Sequence, residues 1–121
     1  MTNKYSEKFK KASIALLLSI INSINKKNYE KYYKFFQKEL NITPQEFNDI
    51  LELQEFVKEH DSIKIEDEIE TIRKELGYKK HEIMKFLMML NRCVIIDGCS
   101  LESYRRFEKV RDTFIKKMQN L

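Results

Sequence analysis

Asp97 and Glu102 come nearest, in type and spacing, to a chemical site in this chain. Carboxylates on a loop suit Ca²⁺ or Mg²⁺, which take oxygen ligands. Asp97 opens the stretch Asp97-Gly98-Cys99-Ser100, and Glu102 follows early in a helical segment. An EF-hand loop needs several more acids at alternate positions, and they are absent here. The same residues also make a corner between two helices. Gly98 fits a left-handed C-terminal position, Ser100 an N-cap, and Glu102 the positive end of the next helix. The corner is the expected reading, with a divalent-cation site at Asp97 and Glu102 as its rival.

Nucleophilic chemistry has less to stand on. Cys93 and Cys99 match neither a CxxC redox motif nor a zinc knuckle. They are expected to be reduced thiols, with Cys93 packed inside an apolar helix. His60 and His81 have no Cys or acid at zinc-ligand spacing, and both are expected at the surface near helix ends. No catalytic residue and no cofactor are assigned, and the chain is read as a non-enzyme.

Two stretches could carry contacts instead. Tyr29, Tyr32, Tyr33, Phe35 and Phe36 alternate with Lys31, Lys34 and Lys38. Stacking on nucleic acid needs exposed rings beside clustered cations. The rings fill more than one helix face, so some are expected outside, where protein contact is the simpler use. Tyr29, Tyr33 and Phe36 are therefore candidates for an interaction surface. Glu66, Asp67 and Glu70 form a second, acidic candidate, against the plain alternative of a solvated helix face. The run Phe86-Leu87-Met88-Met89-Leu90 suggests a Met-rich groove, but core packing is the default for it.

The elements behind these residues follow from composition. The chain has 121 residues, two Gly and one Pro, with 42% apolar residues. That is enough for one core, and too little turn punctuation for a many-stranded β fold. A single all-α domain over residues 1–121 is expected. The longest apolar run, Ile14 to Leu18, cannot span a bilayer, and the charged start lacks a leader pattern. A cytoplasmic protein without membrane insertion is the expectation. Charge runs in blocks: +7 over residues 1–38, −8 over 46–70 and +6 over 71–121. Such a pattern is a dipole rather than a basic footprint, so nucleic acid is not expected as a partner. The acidic block can lie against basic ends within one chain or between two copies, so a homodimer is open.

Periodicity predicts about six helices. The first runs from Lys4 to Asn25, with Phe9, Ala12, Leu16, Ile20 and Ile24 along one face and Leu17, Leu18 and Ile21 widening it. Asn28 is the predicted N-cap of the second, Tyr29 to Leu40. Thr43-Pro44-Gln45-Glu46 is a capping box with Pro at the first helical position, opening a helix to His60. It should bury Phe47, Ile50, Leu51 and Phe56 or Val57, and stop at Asp61-Ser62. Ile65 to Leu76 follows, stopped by Gly77. Lys79 to Ile96 buries Ile83, Phe86, Leu87, Leu90 and Val94. Leu101 to Met118 turns Tyr104, Phe107, Val110, Phe114 and Ile115 inward.

Sliding the chain by 72 residues superposes its two ends. Ile14 meets Phe86, Leu17 meets Met89, Leu18 meets Leu90, Ile21 meets Cys93 and Ile24 meets Ile96. Beyond equal breaks, Tyr29 meets Leu101, Glu30 meets Glu102, Tyr32 meets Tyr104 and Phe35 meets Phe107. A duplicated helical hairpin accounts for this, as does shared periodicity. Ile95-Ile96-Asp97-Gly98-Cys99-Ser100-Leu101-Glu102 and the stretch Lys38 to Leu51, KELNITPQEFNDIL, resemble the TerB-like domain of tellurite-resistance and related stress proteins. The resemblance implies a compact all-α fold with an internal two-fold, and protein–protein interaction in a bacterial stress or defence setting. Asn25-Lys26 stands where that family has Asp-Gly, and Ser103 where it has a second acid, which tells against a family-type cation site. Two other functions are open: a phage- or plasmid-encoded inhibitor or immunity protein acting by steric binding, and a divalent-metal sensor.

Overall fold

The fold is seen in a computed structural model, which describes residues 5–21, 24, 26–60 and 65–119, with 53–60 described by backbone alone. Among the described residues six helices follow one another: α1 (Glu7–Ile21), α2 (Tyr29–Leu40), α3 (Pro44–His60), α4 (Ile65–Glu75), α5 (Lys80–Ile96) and α6 (Leu101–Gln119). A 3₁₀ turn, Lys26–Asn28, leads into α2. There is no strand among the described residues, as the scarcity of turn residues predicts. The expected bounds Lys4 and Asn25, and the stop at Asp61-Ser62, lie outside the described residues, as do the side chains of Phe56, Val57 and His60.

α1 is the hub. Its residues Phe9, Ala12, Ile14, Leu16, Leu17, Leu18, Ile20 and Ile21 are all buried. An apolar surface covering most of a helix must be enclosed on most sides. α4 is the helix that packs on α1 most extensively, and α5 and α6 close other sides. α4 contributes Ile69 and Ile72, both fully buried. α5 contributes Ile83, Phe86, Leu87, Leu90 and Val94, the residues its periodicity selects.

Helix ends are set by local chemistry. Ser6 caps α1, its hydroxyl accepting from the Phe9 amide at 3.1 Å. The capping box of α3 forms as expected: the Glu46 amide donates to the Thr43 hydroxyl, and the Thr43 amide donates to the Glu46 carboxyl. Buried Lys10 adds its ammonium, 3.3 Å from the Asn41 carbonyl and 3.4 Å from Glu46. The Thr43 amide, helped by Lys10, holds the Glu46 carboxyl below the usual carboxylate range. One lysine thus ties α1 to the end of α2 and the start of α3.

α4 and α5 stop in the same way. Gly77 and Tyr78, then Gly98 and Cys99, form consecutive left-handed pairs. The amide of the second residue reaches back to Arg73 and Val94 respectively, a Schellman closure. Asn28 departs from expectation: it makes no side-chain cap bond to α2. It ends the 3₁₀ turn, which runs directly into the helix. Tyr104 departs too, being 40% exposed, because Ser103 takes the inward place on that turn of α6.

Candidate docking face

Asp97 ends α5 and is engaged on both carboxyl oxygens. One accepts the Tyr32 hydroxyl from α2, and the other accepts the Ser103 hydroxyl at 2.8 Å. Arg106 continues the chain, donating from Nη2 to Ser103 at 3.3 Å and from Nε to the Ile20 carbonyl at 2.7 Å. Side chains and a carbonyl from α1, α2, α5 and α6 therefore meet at one polar junction. Burial, then the bond to Asp97 and its charge, pushes the Tyr32 phenol above its ordinary value, so it stays a donor. Ser100 caps α6 through the Ser103 amide at 3.1 Å. Glu102 is exposed in the first turn of α6, apart from these bonds. The corner reading accounts for Asp97, Gly98 and Ser100. No group of three or more His, Cys, Asp or Glu side chains able to hold a metal occurs among the described residues.

Cys93 is buried, and desolvation first, then the charges of Asp97 and Glu39, pushes its thiol up. A thiol so placed is not an available nucleophile. Cys99 is free and exposed, as is His81 on the first turn of α5.

The aromatic candidates need correction. Phe36 is fully buried, with Phe35 and Phe47 against it, and cannot be part of a contact surface. Tyr29 and Tyr33 are half-buried, each edge-on to Phe47. α3 folds back over Phe36, while Tyr29 and Tyr33 keep part of their surface in solvent. Glu66 and Asp67 are exposed on α4, while half-buried Glu70 pairs with Arg73 at 2.7 Å.

Leu101 and Tyr104 on α6, with Tyr5 and Tyr78, are exposed large apolar side chains, and a row of three more lies on α5. Met84 is 42% exposed, Met88 60% and Ile95 57%. Their spacing of four and seven puts them on one face of the helix. The core reading of the run Phe86 to Leu90 holds for four of its residues, and Met88 is the exception. Met88 also edges a groove of about 820 Å³ between α5, the ends of α1 and α2, and the α4–α5 turn. Its apolar lining includes Phe9, Leu40, Phe86 and Met89. Arg92 crosses one end, giving Nε and Nη2 to the two Glu39 oxygens at 2.7 and 2.8 Å. Glu75 on the opposite wall accepts the Ser6 hydroxyl. Lys79 and Lys85 stand at the rim, Lys85 being 3.9 Å from Glu82. The signal for this face was present in the sequence: Met84, Met88 and Ile95 repeat at helical spacing beside the inward stripe. Periodicity marks a wide apolar surface without saying which edge of it lacks a neighbour.

No helix of the described residues is long and apolar enough to cross a membrane. No family model matches the chain, and neither a curated protein nor a solved structure matches it.

Proposed function

We propose that this chain is a non-enzymatic protein-interaction domain of a bacterial stress or defence system, TerB-like in kind, working in the cytoplasm. The observation that carries the reading is the row Met84, Met88 and Ile95, bare on α5 and continuous through Met88 with a groove of mixed apolar and charged lining. Large apolar side chains left in water forgo roughly 1.5–3 kcal/mol each of burial, and a row of them marks a surface that a partner covers. Methionine suits such a surface because its unbranched thioether adapts to the shape it meets. The resemblance at Ile95 to Glu102 and Lys38 to Leu51 supports the stress or defence setting. The engaged oxygens of Asp97 and the buried Cys93 thiol favour binding over chemistry.

The test is a photo-reactive benzoylphenylalanine at position 88, expressed in bacterial cells and illuminated. One discrete adduct, lost when Met84 and Ile95 are changed to Glu, is the expected result. No adduct, or a smear insensitive to those changes, overturns the reading. A nuclease or toxin as the adduct, captured one to one, assigns the chain to the inhibitor or immunity proteins. Binding heat with Ca²⁺, Mg²⁺ or Zn²⁺, abolished by Asp97→Asn or Glu102→Gln, assigns it to metal sensors.

A further inference from the structure

The 72-residue correspondence pairs the bare face of α5 with an enclosed face of α1. Phe9, Ala12, Ser13, Leu16 and Ile20 are buried on α1. Seventy-two residues on stand His81, Met84, Lys85, Met88 and Arg92, every one exposed. The face enclosed on α1 is thus the face left open on α5. The helix that packs on α1 most extensively is α4. α4 is an amphipathic helix with Ile65, Ile69 and Ile72 on its apolar stripe, which Leu76 continues just past its end, and Glu66, Asp67, Glu68 and Glu70 beside it. α5 packs with α6, α1 and α2, and this face of it is exposed.

We propose that the bare face of α5 receives an acidic amphipathic helix from a second protein, a helix of the kind that α4 supplies to α1. This rests on the docking function above and names its partner's chemistry. Charge supports the choice. Lys80, Lys85 and Arg92 flank the row Met84, Met88 and Ile95, with exposed His81 among them. Arg92 is tied to Glu39, and Lys85 stands 3.9 Å from Glu82 with most of its side chain still in water. Carboxylates beside a partner's apolar stripe meet these cations, and a basic helix is repelled. A second copy of this chain is the poorer occupant, because two α5 faces laid together set the same lysines against each other. The mode is a helix laid along an apolar surface, read through residues at four- and seven-residue spacings.

The probe is a synthetic 20-residue helical peptide with Ile at i, i+4, i+7 and i+11 and Glu on both flanks. Its control carries Lys for every Glu, with helicity matched by circular dichroism. Fluorescence anisotropy should show the acidic peptide binding at least about tenfold more tightly than the basic one. Met88→Glu, and separately the pair Lys80→Glu and Lys85→Glu, should each weaken the acidic peptide at least about tenfold. These positions are exposed, so the variants should melt with the parent, which circular dichroism checks. Equal binding of the two peptides overturns the acidic partner and leaves docking intact. Binding of neither overturns the helical occupant. A concentration-dependent dimer of the parent chain, dissolved by Met88→Glu in sedimentation equilibrium, makes a second copy the occupant and overturns the proposal. Failure of the docking function itself appears separately, as absence of an adduct from position 88.

Discussion

The hairpin α1–α2 and the hairpin α5–α6 share a pattern and use it differently. In both, an apolar helix is followed by a short break and an amphipathic helix with Glu at its second residue. Ile14 and Phe86, Leu17 and Met89, Leu18 and Leu90, and Ile21 and Cys93 are buried pairs at equal offset. The breaks then diverge. The first contains a 3₁₀ turn of Lys26–Asn28, while the second closes through left-handed Gly98 and Cys99 and the Ser100 cap. The covers diverge as well. The side of α1 bearing Phe9, Ala12, Ser13, Leu16 and Ile20 is buried, and the equivalent side of α5 faces solvent. Matching periodicity therefore specifies two like helices but not like neighbours. The docking proposed above uses the face where the second helix lacks the enclosure of the first.

The largest effect comes from exchanging covered for bare. Leu16 is fully buried and Met88, its counterpart, is 60% exposed. Leu16→Ala should cost about 2–5 kcal/mol, from lost transfer energy and the cavity left behind. Met88→Ala should stay within about 0.5 kcal/mol, as an exposed substitution does. Urea unfolding of both variants measures the difference. Equal losses break the comparison, for Met88 would then be packed.

Next in size is the tyrosine pair at the same offset. Tyr32 is buried and gives its hydroxyl to Asp97, whereas Tyr104 is exposed. Tyr32→Phe leaves one oxygen of a partly buried carboxyl group without its donor and should cost about 1.5–3 kcal/mol. Tyr104→Phe should be near neutral, within about 0.5 kcal/mol. A Tyr32→Phe loss below that bound would mean the polar junction adds nothing to joining the hairpins.

These pairs also show how far the sequence could be read. The helices, the capping box at Thr43 and Glu46, and the stops at Gly77 and Gly98 were legible, because each depends on neighbours a few residues apart. Asp97 was legible as a corner residue, but not as the acceptor of Tyr32, 65 residues away in the chain. Phe36 was misplaced for the same reason. Periodicity shows that α2 has aromatic residues on several faces, and only the return of α3 buries that one. Tyr104 was set inward because it continues an apolar stripe, yet Ser103 holds that place through its bond to Asp97. Met88 was hidden inside a run that is otherwise core. What escapes sequence reasoning here is one kind of fact: which distant element lies over a given face.

A smaller effect tests the corner itself. Gly98 has φ of +94°, and a Cβ added there meets nothing within 4 Å. Gly98→Ala should therefore cost backbone strain alone. That strain is about 1–2 kcal/mol, reduced by the alanine's more restricted unfolded chain to about 1 kcal/mol net. Thermal unfolding by circular dichroism reads it, and a neutral outcome would mean the corner does not depend on its left-handed glycine.

Cys99 offers the smallest effect and the opposite sign. It follows Gly98 with φ of +54°, a region where a side chain carries strain, and it is an exposed free thiol. Its amide still closes α5 on the Val94 carbonyl at 3.0 Å, a bond any residue type can make. Cys99→Gly relieves the strain at Cβ but adds freedom to the unfolded chain, so the net gain should be only about 0.5 kcal/mol. A urea series on Cys99→Gly beside Gly98→Ala places the two signs on one scale. Destabilisation by Cys99→Gly would show that the exposed side chain makes a contact worth more than its strain. In that case this corner would be held partly by the residue at its tip rather than by backbone and caps alone.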